Sequence, residues 1–343
     1  MKIALLGFPE AGKTTLFKLL SRRTVPEGRR EEESVEGVVM VRDPRVDTIA
    51  AMVKPKRIKY AELDFLLCPD VRTGDSDRLW LEPARSCDAV CLVIRAFSSS
   101  SVYHPKGSVD PARDRSDLET ELLLADLEMV EKRVERLQKE RRGGQTSAQA
   151  LEEKVLGRCR EGLESGKALG RLSFEKHEWA AVGGLGLLTS KPQVWTCNVD
   201  DDEAGTGRAD GALSVACKIE EEISAITNEK ERQEYLAAIG LYLPGVDRMS
   251  AAVYDAMGLM SFYTMGEDEV RAWTIRKGIL APQAAGKVHS DMERGFIRVE
   301  VIKYDELIGA GSEAKVRQQG KVYLKGKDYV IADGDICSFL FSV

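Results

Sequence analysis

One short stretch near the N-terminus, GFPEAGKT at residues 7–14, constrains the fold of this chain more than any other feature. It fits the pattern G-x-x-x-x-G-K-[ST], whose backbone N–H groups curl around phosphate oxygens. The apolar run KIALLGF precedes it and the run KTTLFKLLSRR follows it, which predicts a strand, a loop and a helix in that order. The helix N-terminus, the Lys13 ammonium and the Thr14 hydroxyl would then face nucleotide phosphates and Mg²⁺. The alternative is a plain strand–turn–helix whose glycines serve the turn alone.

Composition and charge exclude several functional classes. At 343 residues the chain is long enough for two or three domains. No stretch reaches the roughly 18 uninterrupted apolar residues of a membrane helix, and the N-terminal run predicts a first β-strand rather than a signal peptide. A net charge of −6 gives no overall field that would attract nucleic acid, so neither a membrane nor DNA is expected as a partner.

The seven cysteines indicate free thiols. Their number is odd, no CxxC pair occurs, and most lie in apolar runs such as CDAVCLVIRAF, where a free cysteine behaves as a small hydrophobic residue. We therefore expect neither a zinc site nor a disulfide framework, and we expect a reducing, cytoplasmic environment.

Three further short apolar runs predict buried strands, at residues 62–68, 89–94 and 194–197. Helical or loop sequence separates each strand from the next, which is typical of a parallel sheet with helices on both faces. From about residue 259 the sequence becomes rich in β-type segments with glycine turns, such as GFIRVEVIKY and KVYLKGKDYVI. This part predicts a small α+β module.

The insertion before the last of these strands has the pattern of a coiled-coil seam. Apolar residues recur there at spacings of 4, 3, 4 and 3, at Leu123, Leu127, Val130, Val134 and Leu137. We expect this helix to end at Gly143 and Gly144 and a second helix, at about residues 148–163, to fold back on it. The product is a long helical hairpin.

Taken together, these segments resemble one family, the YchF or Obg-like ATPases, a branch of the translation-factor-related P-loop proteins. The matching stretches include GFPEAGKTTLF, VRDPRVD, GLLTSKPQVWTCNVDDDE and MGEDEVRAWTIRKGILAPQAAGKVHSDMERGFIRVEVIKYDELI. The last is the most specific and looks like the family's C-terminal TGS domain. The resemblance runs nearly end to end and is weakest over residues 25–80.

The resemblance implies an α/β fold: a P-loop NTPase doubly wound sheet, an inserted antiparallel helical hairpin and a C-terminal α+β, β-grasp-like TGS domain. It places the nucleotide-binding domain at residues 1–108 and 185–258, the hairpin at 109–184 and the TGS domain at 259–343. It also implies that ATP is preferred to GTP, that Mg²⁺ accompanies the nucleotide, and that the protein associates with the ribosome or ribosomal RNA.

The family's phosphate-site residues transfer intact. The nucleotide-binding positions of the loop are Glu10, Ala11, Gly12, Lys13, Thr14 and Thr15. Within this set the resemblance makes Lys13 a catalytic residue, which stabilises charge on the transferred phosphoryl group. It makes the hydroxyl of Thr14 the metal ligand.

The base site departs from both patterns known for such proteins. Ordinary GTPases use NKxD, whose carboxylate accepts hydrogen bonds from guanine, and the family has NxxE. This chain reads NVDD, which makes Asn198, Val199 and Asp201 the predicted base-site residues. Asp201 restores the GTPase-like carboxylate, whereas Val199 replaces the lysine that would lie along the base. ATP stays the favoured nucleotide and GTP the alternative, and the ACK sequence at 216–218 could back the base with backbone N–H groups.

The switch and magnesium motifs depart further. The family's threonine-containing switch is replaced by GRREEESVEGVV, where Ser34 is the nearest hydroxyl. The family's DxxG motif aligns its aspartate with Leu67 and its glycine with Asp70, so the carboxylate that holds Mg²⁺ through water is absent from its usual position. Asp70 is either a substitute for that carboxylate or an ordinary loop residue.

A histidine is the second catalytic candidate. His104, in SVYHPKGSVDP, matches a loop histidine that the family places near the nucleotide, where it would position the attacking water. The alternative is a loop histidine in solvent. His177 and His289 are expected to serve structure.

A basic cluster lies near the predicted hairpin tip, at Lys132, Arg133, Arg136, Lys139, Arg141 and Arg142. These residues would either meet RNA phosphates, with an affinity that falls steeply with salt, or form a solvated face paired with the interleaved glutamates. The sequence as a whole predicts a P-loop protein that binds ATP (or GTP) with Mg²⁺, hydrolyses it slowly and gates ribosome contact. The alternative is a nucleotide-binding interaction module that has lost hydrolysis.

Overall fold

The chain forms two compact units. The computed structural model describes residues 1–343 apart from residues 27, 29, 75, 76, 141–144, 207, 209 and 343. Within this part, unit 1 comprises Met1–Val39 and Asp64–Met249, and unit 2 comprises Met40–Leu63 and Ser250–Val343. The three-domain division expected from the sequence stays a prediction.

Strands and helices alternate along the chain. The strands are β1 (Lys2–Gly7), β2 (Val35–Val41), β3 (Arg57–Lys59), β4 (Ala61–Leu67), β5 (Ala89–Arg95), β6 (Gln193–Asn198), β7 (Leu213–Val215), β8 (Leu259–Met265), β9 (Glu269–Arg276), β10 (Phe296–Lys303), β11 (Tyr323–Lys325) and β12 (Asp335–Phe341). The helices before residue 257 are α1 (Lys13–Ser21), α2 (Pro44–Val53), α3 (Leu81–Arg85), α4 (Pro111–Glu140), α5 (Ser147–Glu164), α6 (Lys176–Val182), α7 (Cys217–Ala225), α8 (Glu229–Ala238) and α9 (Gly245–Ala256). The C-terminal helices are α10 (Ala281–Val288), α11 (Ser290–Arg294), α12 (Tyr304–Ala310) and α13 (Glu313–Gln318).

A mostly parallel sheet carries unit 1. Its strand order among the described residues is β2-β4-β1-β5-β6-β7, and the strands from β4 to β7 pair in parallel. The apolar run of β1 explains its central place, because strands buried on both faces read as continuous hydrophobic sequence. Four consecutive residues of β1 are inaccessible to solvent, namely Ile3, Ala4, Leu5 and Leu6. The predicted α/β sheet is confirmed.

Helices cover this sheet through two apolar clusters. One cluster joins β1 and β5 to α3 and α4, with the fully buried Trp80 and Leu118 among its members. The other joins β6 to α7 and α8 through residues such as Ile219 and Leu236. The carboxyl ends of the parallel strands are thereby left for the loops that follow them, which is where ligands bind in such sheets.

The helical hairpin consists of α4 and α5. The five predicted seam residues all belong to its apolar cluster, in which Val130 and Leu137 are buried and the three others are partly buried. The Arg133 guanidinium spans the two helices and donates to both carboxylate oxygens of Glu152, at 2.6 and 2.9 Å. The predicted helix end at Gly143 and Gly144 lies outside the described residues. Among the described residues, no helix combines the length and the apolar character that a membrane crossing requires.

One buried carboxylate fixes the return of the chain from the hairpin. Asp126 of α4 is fully buried and accepts hydrogen bonds from the backbone N–H groups of Leu188 and Thr189, at 2.8 and 2.7 Å. Burial raises the pKa of Asp126, although these hydrogen bonds act in the opposite direction. The contacts set the chain at the start of β6.

Unit 2 is a mixed sheet flanked by short helices. Its strand order is β11-β10-β12-β8-β9-β3, so the sequence segment 40–63 supplies both α2 and an edge strand. Asp43 caps the N-terminus of α2, and Pro44 occupies the first helical turn, which favours helix formation there. Aromatic rings fill the core of the sheet, with Phe262 packed edge-on against Phe339 at 5.7 Å between centroids.

Candidate functional site

The loop between β1 and α1 has the backbone geometry of a phosphate cradle. A Cβ atom at Gly7 would lie 2.4 Å from the carbonyl oxygen of Val93, so only glycine allows β1 and β5 to approach this closely at the loop entrance. Further along, Glu10 (φ 60°) and Gly12 (φ 89°) adopt left-handed backbone conformations. At Gly12 a Cβ would lie 2.2 Å from Nδ2 of Asn198. The chain therefore curls tightly between the end of β1 and the start of α1.

Helix α1 presents an uncapped N-terminus to this loop. Gly12, the residue before the helix, provides no side-chain cap, and the first turn contains no acidic residue. The orphan N–H groups and the helix dipole at such an end favour an anion. Ala11 is buried, Thr15 is half-buried and Thr14 is exposed. The predicted phosphate-binding positions thus lie together at one helix start.

The hydroxyl of Thr14 fits the expected Mg²⁺ ligand by its chemistry, because Mg²⁺ prefers oxygen donors and keeps several of its waters. It is exposed in the first turn of α1. Within the part of the chain that the structure describes, no group of three or more His, Cys, Asp or Glu side chains could hold a metal ion.

Lys13 is held back over the loop by two acceptors. Its ammonium Nζ lies 2.8 Å from the carbonyl oxygen of Phe8 and 2.6 Å from a carboxylate oxygen of Asp70. The Lys13 side chain is 4% exposed and that of Asp70 is 37% exposed. At the aligned DxxG aspartate position, Leu67 is buried in β4 and offers no carboxylate. Asp70 is thus a carboxylate placed directly at the phosphate loop.

Asn198 links the phosphate loop to the opposite side of the site. Its Nδ2 donates to the carbonyl oxygen of Ala11 at 3.3 Å, and its Oδ1 accepts from the N–H of Cys217 at 3.2 Å. The side chain is buried. The N–H of Cys217, within the ACK sequence expected to back the base, is therefore already used by Asn198.

The other two base-site candidates lie in different environments. Val199 is 3% exposed and belongs to the apolar cluster under α7, so its side chain does not lie along a base as the replaced lysine would. Asp201 is partly exposed and accepts from the ammonium of Lys218 at 2.8 Å. This hydrogen bond raises the pKa of Lys218. Of these two residues, Asp201 is the one with a polar side chain that could pair with a base.

His104 is buried and engaged at both ring nitrogens. Nδ1 accepts from the backbone N–H of Lys106 at 3.1 Å, and Nε2 lies 2.9 Å from a carboxylate oxygen of Asp114. Because Nδ1 accepts, Nε2 carries the proton and donates it to the carboxylate. The expectation of a histidine in solvent is not met. A role for His104 in positioning water requires one of these two bonds to open.

Two residues that the sequence interpretation missed organise this histidine loop. Arg95, at the end of β5, is 3% exposed and donates to the carbonyl oxygens of Phe97, Val102 and Tyr103. Lys106 places its ammonium 5.0 Å from the ring centroid of Phe8 in the phosphate loop. The available signal for Arg95 was a single charge that ends an otherwise apolar buried strand, since such a charge needs partners.

The basic cluster on the hairpin divides into paired and exposed residues. Lys132 donates to Glu128, and Arg133 is occupied by Glu152 and Glu140. Arg136 and Lys139 are exposed, and among the described residues they form no ion pair. Arg141 and Arg142 lie outside the described residues.

Known proteins are similar to this chain over nearly its whole length. The family model YchF-GTPase_C, described as "Protein of unknown function (DUF933)", matches residues 259–342. The Ribosome-binding ATPase YchF of Bacillus subtilis (strain 168) is 35% identical over 362 aligned positions, which cover 99% of this chain and 98% of the relative. The Ribosome-binding ATPase YchF of Escherichia coli O157:H7 is also 35% identical, over 100% of this chain and 99% of the relative.

A solved structure is similar over the same extent. The structure of the Schizosaccharomyces pombe YchF GTPase matches with a TM-score of 0.85 and 29% sequence identity. The match covers 99% of this chain and 97% of that chain. The two chains thus have the same fold over nearly their whole length.

Proposed function

The chain belongs to the YchF family, and from that premise we propose that it is a P-loop nucleoside-triphosphatase that associates with the ribosome. Its substrate is a purine nucleoside triphosphate, with ATP favoured and GTP the alternative, because relatives are named as ATPases and a similar structure as a GTPase. The ribosome or ribosomal RNA is its partner. The cytoplasm is its location, which agrees with seven buried cysteines that form no disulfide.

The observation that supports this proposal most directly is the position of the Lys13 ammonium. Its ammonium is folded back over a loop that curls through Glu10 and Gly12, beside an uncapped helix start. Backbone N–H groups from residues 10–15 would cradle the phosphate tail, and Lys13 would neutralise its charge. Mg²⁺, held by the Thr14 hydroxyl, would supply further charge neutralisation on the β- and γ-phosphates when bound.

Hydrolysis moves the γ-phosphoryl group from the nucleotide to water. The water oxygen bonds to the γ-phosphorus, and the bond from that phosphorus to the β,γ-bridging oxygen breaks. The nucleoside diphosphate and inorganic phosphate are then released. Catalysis of such a step consists mainly of positioning and charge stabilisation. We assign the charge stabilisation to Lys13 and the positioning of water to His104 after its loop opens.

A second candidate function, a nucleotide-binding module without hydrolysis, rests on two observations. The side chain at the DxxG aspartate position, Leu67, is buried and apolar. Both ring nitrogens of His104 are engaged within the protein. In this alternative the cradle binds nucleotide and the bound form recruits the ribosome, with no turnover.

Calorimetric titration with ATP and with GTP, each with Mg²⁺, tests the binding. Lys13→Ala is expected to weaken binding at least about tenfold, because a charge-assisted hydrogen bond to phosphate is lost. Lys18→Ala, an exposed lysine in the last turn of the same helix, is the matched control and should bind like wild type. Absence of heat with both nucleotides in the wild-type protein would refute the proposal.

Single-turnover hydrolysis then separates the two candidates. A wild-type rate above that of the uncatalysed reaction supports the triphosphatase, and binding without cleavage supports the module. Co-sedimentation with ribosomes in the nucleotide-free, ATP and ADP states tests the partner. No pelleting at low salt in any state would exclude the ribosome.

A further inference from the structure

We propose that Asp70 makes nucleotide binding conditional on Mg²⁺, by occupying Lys13 in the free protein and by facing the metal when the nucleotide is bound. This inference rests on the proposed function, since it concerns the same phosphate site. It goes beyond that function because it assigns a role to a carboxylate that stands where the family pattern has a glycine. The structural basis is the placement of Asp70 and the chemistry of its partner.

Asp70 is fixed at the phosphate loop by the backbone on both sides of it. After β4 ends, the N–H of Cys68 donates to the carbonyl oxygen of Leu5 at 3.3 Å, and the N–H of Val71 donates to that of Gly7 at 3.0 Å. Cys68 and Val71 are 1% and 0% exposed. The pairing of β4 with β1 therefore continues past the strand, up to the first residue of the loop. Asp70 stands between two buried anchors.

The ion pair joins a buried cation to a more accessible anion. The Lys13 side chain is 4% exposed and that of Asp70 is 37% exposed, with 2.6 Å between Nζ and Oδ1. A phosphate group that reaches Lys13 must come within a few ångströms of the same carboxylate. In the absence of a metal ion, the two anions then compete for one ammonium and repel each other. Binding of a nucleoside triphosphate without a metal ion is thus weakened.

A divalent cation reverses this balance. A carboxylate beside the phosphate tail is an oxygen ligand of the kind that Mg²⁺ binds directly or through water. The exposed fraction of Asp70 leaves its carboxylate accessible to such an ion, whereas Leu67, at the usual position, offers nothing. The negative charge that opposes free ATP therefore favours ATP accompanied by Mg²⁺, and Asp70 gives the site a metal requirement in a chain that lacks the DxxG motif.

The experiment measures ATP affinity by calorimetry, with Mg²⁺ and with EDTA, in wild type and in Asp70→Asn. The amide keeps the size of the side chain and removes its charge. We expect Asp70→Asn to raise the affinity in EDTA about tenfold, and to reduce the gain that Mg²⁺ gives by at least the same factor, because one charge at short range is removed. No turnover is needed for this readout.

Asp64→Asn is the matched control. Asp64 also lies on the β4 segment, but it pairs in register with Lys2 at the other end of β1, roughly 16 Å of extended strand from the loop. It should leave the affinity unchanged in both conditions. If Asp70→Asn and Asp64→Asn bind equally in EDTA while wild type binds ATP with Mg²⁺, the role of Asp70 is refuted and the proposed function stands. If wild type binds neither purine triphosphate with Mg²⁺, both are refuted.

Discussion

The Nε2 atom of His104 lies 2.9 Å from a carboxylate oxygen of Asp114, a residue in the first turn of α4. The catalytic candidate is therefore attached to the root of the hairpin rather than free in a loop. A movement of α4 would change the position of the imidazole directly. The connection gives hydrolysis a physical route by which the hairpin can affect it.

His104→Ala tests the catalytic role. We expect the single-turnover rate to fall about a hundredfold, in the range that loss of a positioned acid–base group gives. ATP affinity should stay within about twofold of wild type, because both ring nitrogens of His104 bond to Asp114 and Lys106, which lie outside the phosphate loop. An unchanged rate in stopped-flow or quench measurements would make His104 only an anchor of its loop.

Asn198→Ala should weaken both binding and folding. The change leaves the N–H of Cys217 and the carbonyl oxygen of Ala11 without their partner. An unsatisfied buried group costs about 1–3 kcal/mol, so we expect a lower unfolding temperature and an ATP affinity reduced about tenfold. Asn198→Asp keeps an acceptor for Cys217 but loses the donor to Ala11, so calorimetry on both variants shows which bond matters. Equal ATP affinity in wild type and Asn198→Ala would contradict the bridging role.

Lys218→Ala should shift the nucleotide preference towards GTP. Lys218 occupies the Asp201 carboxylate, which is the group that would accept hydrogen bonds from guanine. Because the pair is exposed, we expect a modest change of about threefold in the ratio of GTP to ATP affinity. Lys230→Ala, which breaks an exposed pair with Glu234 on α8, is the control. A ratio that moves equally in the two variants would exclude this role of Lys218.

Unit 2 should lose stability in acid, because protonation removes the stabilising contribution of the Asp43 carboxylate. Burial alone would raise the pKa of Asp43, but hydrogen bonds from Arg45 and Tyr263 outweigh it and hold the pKa below its usual value. A depressed folded-state pKa contributes stability above the unfolded value of about 3.9, and this contribution disappears as the pH falls through the folded-state pKa. Asp43→Asn should therefore lower stability by about 2 kcal/mol at pH 7 and much less in strong acid.

Calorimetric unfolding of wild type and Asp43→Asn, from pH 7 down to strong acid, measures the difference between their free energies of unfolding. Asp255→Asn is the control, because its pair with Lys277 is exposed on both sides and should matter little at any pH. If the difference in unfolding free energy between wild type and Asp43→Asn stayed the same on acidification, the link between Asp43 protonation and stability would be disproved.

The exposed basic residues of the hairpin, Arg136 and Lys139, should control ribosome binding if their face of α4 contacts RNA. Arg136→Glu with Lys139→Glu is expected to reduce co-sedimentation, and to lower the slope of log affinity against log salt by about two, one unit for each lost phosphate contact. Arg160→Glu reverses a charge on α5 that is already paired with Glu164 and serves as the control. Equal slopes in the two variants would leave the face as a solvated helix surface.

Sequence reasoning located the fold and the phosphate site because both have local signals. The apolar run of β1, the glycine loop and the 4-3 seam of α4 each follow from neighbouring residues, and all three are present in the structure. The His104–Asp114 and Lys13–Asp70 contacts were not predictable in this way. The second pair joins residues 57 positions apart, through strand pairing that continues past β4. Val199 illustrates the converse, because an aligned position proved to be part of the core.

The placement of residues 40–63 has a consequence for any attempt to divide this protein. Helix α2 and strand β3 belong to unit 2 although they are encoded within the first fifth of the chain. A fragment that stops at residue 249 would keep α2 but lose β8 and β9, leaving Val46 and Ile49, both fully buried in the intact chain, without the strands of their own unit. Transferring unit 2 to another protein therefore requires two separate segments of this chain, residues 40–63 and 250–343.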